Sequence, residues 1–283
     1  MKTISKVSII IPNYNRATLI GETLESIIAQ TFVDWECIIV DDVSTDNSLE
    51  IINNYSIKDQ RFNLILRDSK SPKGANSCRN IGLKEAKGDY IIFFDRDDLM
   101  TENHLEKKVE AIIKYDCDFV IARTEYFGNP ENINPINYRD LGNIPITADN
   151  FITKKINWLT LDPIIKANIA KSITFTEKNN SAEEYNYFSK LVLKTENAVA
   201  ITDILSKRRF HAESYQSSLQ SKEEKNLNLF HYYYDTYFEI YKSNLSTSSK
   251  QFMLTKISEL IYSGDFIFNK KLLYSEFLKN FNI

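Results

Sequence analysis

Tyr90-Ile91-Ile92-Phe93-Phe94-Asp95-Arg96-Asp97-Asp98 is the stretch on which the fold turns. Its apolar half reads as a buried strand, and the strand's carboxyl end runs straight into a charged tetrad. Upstream, Val7 to Ile11 reads as a first strand and Cys37 to Val40 as a second, buried on both faces. Between them Ile20, Leu24, Ile27 and Ile28 fall at i, i+4, i+7 and i+8, one stripe of a helix. A helix over about Ser48 to Tyr55, a strand from Phe62 to Leu66 and a helix from Ala75 to Ala86, stopped by Gly88, fill the interval. Downstream, Leu105, Val109, Ile112 and Ile113 mark another helix, and Phe119 to Ala122 a fifth strand. Alternation of this kind predicts the α/β class, a mostly parallel, Rossmann-like sheet with helices on both faces.

In an open parallel sheet, ligands bind beyond the carboxyl ends of the strands, where loops and helix amino termini converge. Three such ends are rich in chemistry: Pro12-Asn13-Tyr14-Asn15-Arg16, Asp41-Asp42-Val43-Ser44-Thr45-Asp46 and Asp95-Arg96-Asp97-Asp98. Two carboxylates one residue apart at a strand end suit one hard divalent cation with its attached phosphates. Without a cation, so many like charges at one edge would resist ionisation.

The chain has 283 residues, 43% hydrophobic and 26% charged, which fits an ordinary globular protein and excludes disordered, collagenous and membrane-spanning classes. A net charge of -3 provides no field for wrapping nucleic acid, so no nucleic-acid partner is expected. Cys37, Cys78 and Cys117 form no C-x-x-C pair and read as buried thiols of a reducing compartment. With no leader-like or spanning apolar segment, a soluble cytoplasmic chain is expected, with peripheral attachment at the inner membrane face left open. Pro130, Pro135 and Pro145 mark an irregular stretch that divides the α/β region into two halves. From about Ser214 the chain turns helical and aromatic: Phe230, Tyr233, Tyr234, Tyr237, Phe238 and Tyr241 form one stripe, and Met253, Ile257, Leu260 and Ile261 another. Packing against the α/β region or a second copy is the expected use of these faces, with docking at a lipid surface the alternative.

Val7 to Arg16, Gln30-Thr31-Phe32, Trp35 to Ser48, Arg79-Asn80-Ile81-Gly82, Gly88-Asp89-Tyr90 and Asp95 to Asp98 together resemble glycosyltransferase family 2, the inverting nucleotide-sugar transferases of GT-A fold. The resemblance covers about residues 5 to 125 and thins beyond them. It implies a GT-A domain over 1–213, with a nucleotide-sugar half (1–125) and an acceptor half (126–213), followed by a helical extension over 214–283. It further implies that Pro12, Tyr14 and Arg16 line the nucleotide pocket, that Asp42 binds the base, that Asp95 touches the nucleotide side and that Arg79 positions donor groups. Asp97 would ligate Mn2+ or Mg2+ on the diphosphate. A ring such as Tyr14 stacks on a base and a carboxylate such as Asp42 accepts from an imide N–H, which favours a UDP-sugar donor.

Inversion needs a carboxylate to take the acceptor's proton. Glu183-Glu184, ahead of Tyr185-Asn186-Tyr187-Phe188, resembles the family's acidic pair, whose second member is the base. Lys207-Arg208-Arg209-Phe210-His211 resembles its R-x-H element, which would make His211 a metal ligand and Arg209 a phosphate binder. Trp158 and Asp162 either flank the acceptor pocket or belong to the core. Three positions depart from the family: Val43 replaces the usual Gly, Arg96 the small middle residue of D-x-D, and Glu184 the usual Asp. The expected activity is transfer of a sugar to a glycan or lipid-linked glycan, in cell-surface polysaccharide synthesis. The rivals are an inactive GT-A-like scaffold or binder and a Mg-binding receiver module.

Overall fold

The computed structural model describes residues 6–128, 138, 140–177, 183–210 and 221–262. The first strands and helices alternate as expected: β1 (Val7–Asn13), α1 (Ile20–Ile28), β2 (Trp35–Asp41), α2 (Ser48–Lys58), β3 (Phe62–Leu66), α3 (Ala75–Glu85) and β4 (Tyr90–Phe93). There follow β5 (Leu99–Met100), α4 (His104–Lys114), β6 (Phe119–Gly128), α5 (Ala148–Ile152), β7 (Pro163–Lys166), α6 (Ala167–Ala170), α7 (Glu183–Lys194) and β8 (Ala198–Phe210). Two helices close the described chain, α8 (Lys222–Ile240) and α9 (Thr247–Tyr262).

One sheet runs in the order β3-β2-β1-β4-β7-β6-β8-β5. Its first four strands are parallel, as the alternation predicts. Beyond β4 the sheet is mixed: β7 runs antiparallel to both β4 and β6, β8 is parallel to β6, and β5 is antiparallel to β8. Register places Asn13 beside Asp41, so the ends of β1 and β2 finish level.

Strand alternation sends successive β1 side chains to opposite faces: Ile10 joins one apolar cluster while Val7, Ile9 and Ile11 join the other. The α1 stripe buries Ile20, Leu24 and Ile27 completely, each contributing roughly 1.5–3 kcal/mol. Gly88 leaves no room for a side chain, since a Cβ there would lie 2.6 Å from the Lys6 carbonyl oxygen and 2.7 Å from the Ser8 nitrogen.

Part of the C-terminal aromatic stripe packs on the α/β region, while Tyr241 is exposed. Phe230, Tyr233 and Tyr237 are buried in the same cluster as Ile10, Ile91 and Phe188, and Tyr232 stacks on Tyr185 of α7 at 4.5 Å. A capping box starts α8, with the Ser221 hydroxyl accepting from the Glu224 N–H at 3.0 Å and the Glu224 carboxylate accepting in return from the Ser221 N–H at 3.2 Å. Cys37, Cys78 and Cys117 are buried free thiols. Among the described residues, no helix is long and apolar enough to cross a membrane.

Candidate functional site

The ends of β1 and β2 are tied together by polar side chains. Asn13 donates to Asp41 Oδ2 at 2.7 Å, and the Asp41 carboxylate also accepts from the backbone N–H and hydroxyl of Ser44, each at 2.7 Å. The tie closes a tight turn in which Val43 sits at φ +62°, the left-handed region, with its side chain 53% exposed. A β-branched residue is strained there and a glycine would not be.

With Asp41 committed to the turn, Asp42 faces the next strand. Its carboxylate pairs with the Arg67 guanidinium and accepts from the Gly74 N–H at 3.0 Å. Arg67 is the first residue past β3 and also donates to the Ser71 carbonyl at 2.6 Å. Tyr14 lies half-buried at the neighbouring strand end, with Lys73 Nζ 4.3 Å from its ring centroid. Pro12 is buried inside β1, where it pairs with Val40.

The β4 end carries the densest charge. Arg79 of α3 meets Asp95 at 2.9 Å, and Arg16 Nε lies 3.4 Å from Asp97. Burial opposes ionisation of Asp95, but Arg79, Arg208 and Arg96 outweigh it and hold the carboxyl below its usual range. Asp98 goes the other way: burial first, then Asp95 and Asp97 beside it, push it well up. Burial lowers Arg96 against the pull of Asp97, and its Nε is a buried donor without a partner among the described residues. A buried guanidinium N–H left unsatisfied beside this edge suits an anionic oxygen.

The adjacent arginines of β8 divide their work because neighbouring side chains of a strand point to opposite faces. Arg209 is absorbed by the protein: its N–H donates to Asp98 at 2.8 Å, Nε to the Asp97 carbonyl at 3.0 Å and Nη2 to Glu22 at 2.6 Å. Arg208 answers instead to Glu184, Asp98 and Asp95, whose charges raise it beyond the ordinary arginine range in spite of burial. Glu184, in the first turn of α7, accepts from the Thr160 hydroxyl at 2.8 Å and the Thr160 N–H at 3.1 Å. The side chain of Glu183 and all of His211 lie outside the described residues. Trp158 and Asp162 are core: Trp158 packs on Phe151 with centroids 4.2 Å apart, and Asp162 is fully buried.

Among the described residues, no group of three His, Cys, Asp or Glu side chains is placed to hold a metal ion. The residues present nevertheless fit a cation shared with a ligand. An ion bridging a diphosphate takes one or two protein carboxylates and completes its shell with phosphate oxygens, and Asp97, with 17% of its side chain exposed, offers such hard oxygens. A separate groove of about 680 Å³ lies between α1 and β5, lined by Glu22, Glu25, Met100, Glu102 and Lys207, and reaches none of Asp42, Asp95 or Asp97.

Sequence reading missed Arg67, Arg208 and Thr160. Arg67 was within reach, because the strand-end rule applied to the third strand points straight at it. Arg208 was within reach too, since alternation along a strand separates it from Arg209. Thr160 carries no signal of its own.

Residues 8–175 match the family described as "Glycosyl transferase family 2". Glycosyltransferase GlyG of Streptococcus pneumoniae is 37% identical over 116 residues, 41% of this chain and 38% of that protein. A poly(ribitol-phosphate) beta-glucosyltransferase of Bacillus spizizenii is 32% identical over 195 residues, 67% of this chain and 30% of that one. The chain thus spans less than half the length of the curated relatives it matches. Among solved structures, S. aureus TarS 1-349 in complex with UDP-GlcNAc superposes with a TM-score of 0.73 at 24% identity, covering 92% of this chain and 73% of that one.

Proposed function

The chain belongs to glycosyltransferase family 2, and from that premise we propose that it is an inverting, metal-dependent transferase that moves a sugar from a UDP-sugar to a hydroxyl of a phosphate-bearing or lipid-linked glycan in cell-surface polysaccharide synthesis. One observation carries the reading: the neighbouring ends of β2, β1 and β4 bring Asp42, paired with Arg67, together with Asp95 and Asp97, which meet Arg79 and Arg16, to one edge of the sheet.

Tyr14 stacks on the base and Asp42, held by Arg67, accepts from its imide N–H. Arg79 and Arg96 would meet anionic donor oxygens, and Asp97, with His211 as the resemblance implies, would hold a divalent cation. A bound cation supplies neutralisation of the charge that builds on the departing diphosphate. The acceptor oxygen attacks the anomeric carbon from the side opposite the diphosphate, and the bond from that carbon to the diphosphate oxygen breaks. Glu184 takes the hydroxyl proton, an assistance typically worth about 10²–10⁴ in rate. The UDP-GlcNAc held by TarS 1-349 supports the donor class, and the name of the poly(ribitol-phosphate) beta-glucosyltransferase supports a phosphate-bearing acceptor.

Calorimetric titration with UDP, GDP and dTDP, with and without Mn2+, tests the donor side. UDP should bind tightest and only strongly with metal, and Asp97→Ala should abolish the metal dependence. Equal, metal-indifferent binding by both chains would count against the assignment.

A further inference from the structure

We propose that Thr160 is the positioning residue for Glu184, and that a buried polar bolt centred on Asp162 holds Thr160 in place; the inference rests on Glu184 being the base. Thr160 is 1% exposed, and both of its donors, hydroxyl and N–H, converge on Glu184 Oε1. No other hydrogen bond reaches the Glu184 carboxylate among the described residues. Two donors from one residue fix the carboxylate plane and occupy one oxygen, which leaves Oε2 to receive a proton.

Thr160 itself sits in the turn Leu159–Asp162, closed by the Asp162 N–H donating to the Leu159 carbonyl at 3.1 Å. The Asp162 carboxylate returns to accept from the Leu159 N–H at 2.7 Å, and takes further bonds from Thr124 of β6 at 2.6 Å and the Tyr138 hydroxyl at 2.7 Å. From α4 the fully buried Lys108 donates to the Leu161 carbonyl at 2.9 Å. Leu161 is therefore fastened to α4 and Asp162 to β6, Leu159 is held by Asp162, and the hydroxyl of Thr160 is spent on Glu184. A solvated loop would leave that carboxylate free to swing, and misplacement by about an ångström costs about a hundredfold in rate.

The test uses UDP release from UDP-glucose and UDP-GlcNAc by the full chain, with water and with a poly(ribitol phosphate) acceptor. Thr160→Val, which keeps the N–H and the branched shape, should lower kcat about 10- to 100-fold while leaving KM for the donor and UDP affinity unchanged. Thr160→Ser should restore the rate. Thr160→Ala deletes the same hydroxyl without burying a new methyl and reads the same quantity if the valine chain does not fold. Combined with Glu184→Gln, the valine change should cost nothing further. An undiminished kcat in Thr160→Val or Thr160→Ala, or an additive loss in the Glu184→Gln background, would overturn the positioning role. Undiminished turnover by Glu184→Gln alone would instead overturn the assignment of the base, and no turnover of either donor by the unaltered chain would overturn the proposed donor and acceptor.

Discussion

Replacing Asp42 with Asn separates what the Asp42–Arg67 pair does for the fold from what it does for a nucleotide. The two side chains are 6% and 9% exposed, and Asp42 also receives the Gly74 N–H. Asparagine retains one acceptor, so it satisfies either Gly74 or Arg67 but leaves the guanidinium without a counter-charge. Removing one partner of a buried pair costs about 3 kcal/mol. In a chain of 283 residues that lowers the melting temperature by roughly 5 °C. Adding Arg67→Met removes the stranded charge, and because substituting both partners is nearly neutral, most of the stability should return. UDP affinity should not return, since the carboxylate that accepts from the base is still missing. Chemical denaturation and calorimetry with UDP measure the two quantities on the same three chains. A double variant that regains both stability and UDP affinity would refute the reasoning, because the pair would then be structural alone.

Val43→Gly relieves about 1–2 kcal/mol of left-handed strain against roughly 0.5–1 kcal/mol of added chain entropy, and the side chain lost is largely exposed. Melting should rise slightly with UDP binding intact, and a fall in melting temperature would show that Val43 is not strained. Gly88→Ala drives a Cβ against the Lys6 and Ser8 backbone, so denaturation should show a loss of about 3 kcal/mol. Burial holds Lys108 down at about 7, against the pull of Asp162. Between that value and the ordinary 10.5 the unfolded chain binds a proton that the folded chain does not, so this group adds stability as pH rises through the window. The melting temperature relative to Lys108→Met should therefore climb from pH 7 to about 9.5, and a flat or falling difference would contradict a neutral folded lysine.

The parallel half of the fold was legible because each of its strands is an apolar run followed by chemistry, and β3 begins and ends where Phe62 and Leu66 predict. The mixed half was not. Pro163–Lys166 is a short strand whose antiparallel direction comes from wedging between β4 and β6, a relation that local periodicity does not encode. Residues Asp42, Asp95 and Asp97 were visible at their strand ends, but their partners come from other elements: Arg67 from β3's exit, Arg79 from α3 and Arg16 from β1's exit. Helix α4 misleads in a different way. His104 and Lys108, one turn apart, look like a solvated face, yet both are fully buried, with His104 bonded to the Leu205 carbonyl at 2.8 Å and Lys108 to that of Leu161. Polar residues at helical spacing report a face, and only packing decides whether that face meets water or another strand's carbonyls.

A crystal structure of the full chain with UDP and Mn2+ tests the central claim most directly. Uracil should lie against Tyr14 with its imide N–H on Asp42, the diphosphate beside Asp97, Arg79 and Arg96, and Glu184 on the open side of the β-phosphate. UDP seated in the groove between α1 and β5, or bound at the strand ends with Glu184 turned to a different side of the sheet, would contradict it.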